Sequence, residues 1–265
     1  MRIALAQVAS GTDKTANLTA VADFVEQAAG QDAQLVVFPE YTTFNKPPVD
    51  VSYVQAAEPL DGSFCTQIRE LAARFGIIVA LGVLETTEVA DHAYNTIVVV
   101  GPDGGDLCTY RKEHLYDAFG GRESDFLLPG SNGGPVTFTV DGVRVGIMTC
   151  YDLRFPEMGR VIADAGAEVA LIPSSWTPGP RKEDHWLTLT RARAIENVFY
   201  VAAVGQAPPF STGGSLLIDP MGAVLADGGD EPNLIVRDID VCRVATTRER
   251  VPVLENRRYR VVSRN

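Results

Sequence analysis

The sequence has no run of about 18 apolar residues, so no membrane-spanning helix is expected. It is short of positive charge: 23 Lys and Arg stand against 34 Asp and Glu, a formal net charge of −11. That balance excludes a nucleic-acid surface, which needs clustered cations to replace the counterions of phosphate. Cysteine is scarce. Cys65, Cys108, Cys150 and Cys242 lie far apart, with no C-x-x-C pair, which argues against a zinc site or a disulfide framework. The opening MRIALAQVASG has one basic residue and a short apolar run ending at Gln7, the pattern of a strand rather than a secretion signal. Reduced thiols in the cytoplasm are therefore expected. Histidine is rarer still, at His92, His114 and His185, and repeats and low-complexity tracts are lacking.

What remains is a 265-residue chain of ordinary globular composition, 46% apolar and 22% charged, expected to form one domain over 1–265. Short apolar runs alternate with amphipathic segments. Strands are predicted at 2–8, 34–38, 77–83, 95–100, 107–110, 168–173, 199–204, in SLLID at 215–219 and at 234–240, with a hairpin over 136–148 turning at Asp141-Gly142. Helical spacing marks 14–29, 64–75, 156–165 and 183–197. Several strands are apolar without alternation, as in sheets covered on both faces. The expected class is α/β. The long loops are 41–61, 113–134 and 174–184, and long loops in compact domains often carry function.

Three apolar strands run directly into a reactive side chain. QLVVFPE places Glu40 past one strand end, LCTYRK places Lys112 past a second, and VRVGIMTC places Cys150 past a third. Ligands of α/β proteins bind at the carboxyl ends of strands. Taken singly, Glu40 reads as a solvated loop carboxylate, Lys112 as a surface charge and Cys150 as a small buried hydrophobe. Together they make chemical sense. A free thiol of pKa about 8.5 is only ~3% ionised at pH 7, so a nucleophilic cysteine needs a base or a neighbouring cation. Glu40 could be that base, and Lys112 could hold a developing oxyanion. A Cys–His pair with His114 is the alternative, although nothing in the sequence places that ring near Cys150.

FPE at 38–40, YRKEHLYD at 110–117 and TCYDLRFPE at 149–157 resemble the three signature segments of the nitrilase superfamily of carbon–nitrogen hydrolases. MRIALAQ at the start, ESDFLLPGS at 123–131, HWLTLTRARAIEN at 185–197 and GSLLIDPMG at 214–222 extend the likeness along nearly the whole chain. The resemblance implies a four-layer α-β-β-α sandwich and a homodimer or larger homo-oligomer. It implies Glu40 as general base, Lys112 as catalytic lysine, Cys150 as nucleophile and Glu123 as a second glutamate that steers the lysine and substrate. Tyr151 would lend its backbone N–H to an oxyanion hole. No metal and no organic cofactor is implied.

CYDLRFPE resembles the branch that contains omega-amidases and deaminated-glutathione amidases, which implies a small linear, carboxylate-bearing amide. Arg154 and Arg181 are candidates to pair with such a carboxylate, since guanidinium binds carboxylates through two hydrogen bonds. An arginine at 154 would equally tie its own loop to a nearby acid. Trp176, past the strand EVALIP, is a candidate pocket wall, whereas Arg191 and Arg193 fall in a helical pattern and read as structural. The loop GPRKED, Gly214 in FSTGGS and the stretch TTFNKPPVD depart from that branch and leave the substrate open. N-carbamoyl hydrolysis, nitrile hydrolysis and a catalytically silent binding protein on the same fold are the other readings; a redox thiol protein lacks a resolving cysteine near Cys150 in sequence.

Overall fold

The computed structural model describes residues 1–263. The chain builds two six-stranded sheets, the first of which takes its last strand from the end of the chain. Its first half runs β1 (Arg2–Gln7), α1 (Lys14–Ala29), β2 (Leu35–Val37), α2 (Val51–Ala56), α3 (Ser63–Phe75), β3 (Ile78–Thr86), β4 (Ala93–Val100) and β5 (Asp106–Arg111). Its second half runs β6 (Thr137–Val140), β7 (Val143–Ile147), α4 (Pro156–Asp164), β8 (Val169–Ser174), α5 (Lys182–Asn197), β9 (Tyr200–Gly205), β10 (Leu216–Ile218), β11 (Val224–Asp227), β12 (Asn233–Asp238) and α6 (Cys242–Arg250). The first sheet has the order β12-β1-β2-β3-β4-β5 and the second β11-β10-β9-β8-β7-β6.

Local chemistry explains the element ends. Asp13 caps α1 by accepting from the N–H groups of Thr15 and Ala16. Gly76 closes α3 in the left-handed conformation that glycine adopts without strain. Pro156 opens α4, where its missing N–H costs nothing. Asp141 and Gly142 both take positive φ, as a two-residue hairpin turn requires.

Side-chain alternation along β1 shows how the layers stack. Ile3 and Leu5 pack with Val145, Ile147, Val169 and Leu171 of the second sheet. Ala4 and Ala6 face the other way, onto Val21 and Val25 of α1 and Phe64 and Ile68 of α3. On the far side of the second sheet, Met158 and Ile162 of α4 and Ala194 of α5 close the fourth layer. Each fully buried Val, Leu or Ile contributes about 1.5–3 kcal/mol, so both sheet faces are strongly held. This is the expected α-β-β-α sandwich.

The expected strands and helices are present, with three additions. A one-turn-and-a-half helix, α2, lies inside the loop 41–61, and β11 and α6 were not marked by periodicity. Within the sheets β1, β2 and β3 run parallel, as do β7, β8 and β9. Two antiparallel steps, β3 to β4 to β5, bring β5 back to the direction of β3. The carboxyl ends of β2 and β5 therefore share one edge of the first sheet.

Candidate active site

Glu40, Lys112 and Glu123 are buried together. Lys112 Nζ donates to Glu40 Oε1 at 2.9 Å and to both oxygens of Glu123 at 2.9 and 2.8 Å. Glu40 is further fixed by Asn95 Nδ2 at 2.7 Å on Oε1 and by the backbone N–H of Ser175 at 2.7 Å on Oε2. Glu123 accepts from Tyr41 Oη and from the backbone N–H of Tyr116, each at 2.7 Å. Every partner of the two carboxylates is a donor, so both are held as acceptors.

Backbone features place these groups. Glu40 leaves β2 pressed against β3: a Cβ on Gly82 would lie 2.7 Å from the Glu40 Cα and 2.7 Å from the Tyr41 nitrogen. Only glycine admits that approach. Lys112 is fixed at the end of β5 by its N–H to the Asn95 carbonyl at 2.9 Å. Cys150 follows β7 at a sharp elbow with φ of +47°, a strained conformation for a residue with a Cβ. Asp152 pins that elbow. Its Oδ2 accepts from Thr149 N at 2.8 Å and from Tyr110 Oη at 2.6 Å, and its Oδ1 accepts from His114 N at 3.1 Å.

The His114 ring also goes to Asp152, with Nδ1 2.7 Å from Oδ1, and it stacks on Phe155 at 3.7 Å. His114 therefore anchors the elbow, and the carboxylate that shares the cavity with the Cys150 thiol and acts on it electrostatically is Glu40. Burial raises the Cys150 pKa well above the ordinary thiol value, and the charge and hydrogen bond of Glu40 raise it further against the opposing pull of Lys112. The thiol is protonated at rest. Burial pulls Lys112 down, but the charges of Glu123 and Glu40 outweigh it and hold the ammonium well above its usual range.

These groups open onto a cavity of about 620 Å³, within the range of small-molecule sites. Glu40, Glu123, Cys150, Tyr151 and Trp176 all line it. Tyr151 packs edge-on to Tyr116 at 5.2 Å. Trp176 is 2% exposed and donates from Nε1 to the Lys182 carbonyl at 2.8 Å. The two arginines are placed differently from the expectation. Arg181 is not among the lining residues; its side chain is 80% exposed and pairs with Asp184 at 3.4 Å. Arg154 stands behind the wall, its guanidinium 4.9 Å from the centre of the Trp176 ring. Arg193 is structural, donating to the Leu153 carbonyl at 2.6 Å and to Glu196.

Sequence reasoning missed Tyr41, Asn95, Ser175 and Lys182, all buried in or around the site. Two of them had a signal: Asn95 is a polar residue opening the apolar strand NTIVVV, and Ser175 follows the end of β8 as Cys150 follows β7. Geometrically, a neutral thiol, a carboxylate that can take its proton and an ammonium beside both are what covalent hydrolysis at a carbonyl carbon needs.

Residues 2–249 match the carbon-nitrogen hydrolase family. The chain is 43% identical to the hydrolase Rv0480c of Mycobacterium tuberculosis, over 97% of this chain and 95% of that protein. It is 35% identical to the deaminated glutathione amidase of Escherichia coli O157:H7, over 98% of each, and 34% identical to the omega-amidase NIT2 of Homo sapiens, over 97% and 95%. Among solved structures, a mutant of the amidase from Nesterenkonia sp. AN1 superposes with a TM-score of 0.80 at 27% identity, covering 97% of this chain and 94% of that one. That structure shows covalent addition of the acetamide moiety of fluoroacetamide at its active-site cysteine.

Proposed function

The chain belongs to the carbon-nitrogen hydrolase family, a family with amidase members, and on that premise we propose a cysteine-dependent amidase that acts through a thioester. One observation carries this reading: Cys150 and Glu40 line one cavity, and Glu40 shares the buried Lys112 ammonium with Glu123. Glu40 takes the thiol proton as Sγ attacks the carbonyl carbon of the amide. Lys112 and the backbone N–H of Tyr151 hold the oxyanion. Glu40 passes its proton to the leaving nitrogen, the C–N bond breaks, and ammonia departs. Glu40 then deprotonates a water that attacks the thioester carbon. The sulfur leaves with the proton returned by Glu40, and a carboxylic acid is released. General acid–base transfer of this kind contributes ~10²–10⁴ in rate.

The substrate is a small linear amide bearing a carboxylate. Support comes from the two amidase relatives and from the cavity, where Lys182 stands on the wall across from Cys150, Glu40 and Glu123. Matched amide, carbamoyl and nitrile compounds, assayed for ammonia with wild type beside Cys150→Ala, test the reading. Ammonia from the amides alone supports it. Turnover of only the carbamoyl compounds moves the function to N-carbamoyl hydrolysis. No turnover, together with a Cys150 that resists alkylation, points to a non-catalytic binding protein.

We place the protein in the cytoplasm, in keeping with four free thiols. No helix among the described residues is long and apolar enough to cross a membrane. Self-association into a homo-oligomer has a candidate face. Leu187 and Ile195 on α5 and Met221, Val224 and Leu225 around β11 are 40–56% exposed. Light scattering of the purified protein tests it, a monomer being the contrary result.

A further inference from the structure

Charge is unevenly distributed in the cavity. Its floor holds one ammonium between two carboxylates, Glu40 and Glu123, and with the thiol protonated that floor is net negative. Lys182, the first residue of α5, lines the same cavity and is only 3% exposed. Its Nζ donates to Tyr116 Oη at 3.2 Å and stands 4.6, 4.8 and 5.2 Å from the ring centres of Trp176, Tyr116 and Phe119. No carboxylate approaches Lys182 within ion-pair distance among the described residues. Its acidic neighbours Glu183 and Asp184 are both exposed, and Asp184 is taken by Arg181.

A second cation shares the same rings. Arg154 lies 4.9 Å from the Trp176 centre and 5.8 Å from Phe119. Its one polar contact is His185 Nδ1 at 3.4 Å, and its buried Nε has no hydrogen-bond partner among the described residues. Arg154 too has no carboxylate partner there. Buried charges are normally paired, because ring faces replace only part of the lost hydration. Lys182, buried, and Arg154, partly buried, thus stand around one indole with no carboxylate partner among the described residues.

The geometry points to Lys182 as the residue that reads the substrate: its ammonium binds the carboxylate of the amide, and Arg154, across Trp176, adds to the attraction. This rests on the amidase reading above. The negative floor repels that carboxylate, so the same charge division turns the neutral amide end toward Cys150. Lys182 thereby sets specificity and orientation together.

The test compares the monoamide of succinic acid with butanamide, a neutral amide of the same length, in wild type, Lys182→Met and Lys182→Arg. Methionine keeps the apolar stem packed against the rings without the charge. The readout is the ratio of kcat/KM for the anionic over the neutral amide, which is internal to each preparation and insensitive to a misfolded fraction. Loss of one charge-assisted contact predicts a fall of about 10- to 100-fold in that ratio for Lys182→Met, carried mainly by KM, with Lys182→Arg retaining most of it. An unchanged ratio in Lys182→Met overturns the assignment. A second measurement separates this from the amidase reading. Succinate binding to the Cys150→Ala protein, followed by calorimetry, is expected to disappear in Cys150→Ala/Lys182→Met. If wild type hydrolyses neither amide, the amidase reading falls, while loss of succinate binding still upholds the anion site. Binding unaffected by the Lys182 change removes it.

Discussion

Lys112 Nζ lies 2.9 Å from Glu40 Oε1, and both side chains are 1% exposed. Such a pair, with Glu123 completing it, is costly to break because each carboxylate would be left buried without its counter-charge.

Lys112→Met is therefore expected to destabilise the fold by about 3–5 kcal/mol at neutral pH. The sign of its pH dependence is diagnostic. In wild type the Lys112 pKa is raised on folding, so its contribution is fully present below the ordinary lysine pKa and fades only as pH rises through the raised value. In Lys112→Met the two carboxylates face each other, and one must bind a proton on folding. Stability then rises as pH falls from 8 toward 6. Thermal melts across that range check this; a deficit that stays constant or widens toward pH 6 refutes it.

Glu40→Gln separates ionisation from reactivity. Glu40 raises the Cys150 pKa by charge and by hydrogen bond, although less than burial does. Removing that charge lowers the thiol pKa, while the general base is lost. The thiolate absorbance of the variant, taken against Cys150→Ala to subtract Cys65 and Cys108, is expected to rise at lower pH than in wild type. Those two thiols are pushed up to about 11 and about 12, mainly by burial. kcat is expected to fall ~10²–10⁴-fold. A variant with more thiolate and normal turnover would remove Glu40 from the mechanism.

Gly82→Ala acts at a distance from the chemistry. Its methyl would meet the backbone of Glu40 and Tyr41 at 2.7 Å, so the strand end carrying Glu40 must shift. A displacement of a few tenths of an ångström at a general base is expected to cost about 10–100-fold in kcat. Hydrolysis of the monoamide of succinic acid and melting temperature measured together check it, and full activity in the folded variant would show that the strand end tolerates the shift.

Asp152→Asn tests the elbow. The aspartate receives donors from Thr149, Tyr110 and His114. An amide must turn its NH₂ toward one of them, a loss of about 1–3 kcal/mol. Because the disturbance sits under the strained Cys150, kcat should fall while KM changes little. An effect on KM alone would assign Asp152 to substrate binding.

The site was legible where chemistry sits at strand ends. β2 and β7 are apolar enough to be read directly, β5 is marked by its turn and its pairing residues, and Glu40, Lys112 and Cys150 follow the three within a few residues. The mixed α/β class follows from the same runs, whereas the four-layer sandwich was implied by the resemblance to the family. α6 escaped because it buries only Val244 and Thr247 and has no apolar stripe. α2 is too short for a period to show. The cationic wall shows a subtler limit. Arg181 and Lys182 are adjacent and equally charged, but Arg181 takes a left-handed backbone at the start of α5 and points to Asp184, whereas Lys182 enters the cavity. Sequence names the charge; the helix entry angle chooses the residue. Asn95, Tyr41 and Ser175 gain their roles only from partners tens of residues away.

Glu40 and Lys112 come from the edge of the first sheet, Cys150 and Ser175 from the second, and the Ser175 N–H to Glu40 spans 135 positions of chain. Neither half owns a working set. The first sheet is completed by β12, which follows every strand of the second, so nucleophile and base meet only when the two sheets pack face to face. Turnover should thus return after secondary structure and in step with burial of the inter-sheet core. A chain cut off before its second half carries Glu40 and Lys112 but no Cys150, so the proposed chemistry belongs to the seam between the sheets.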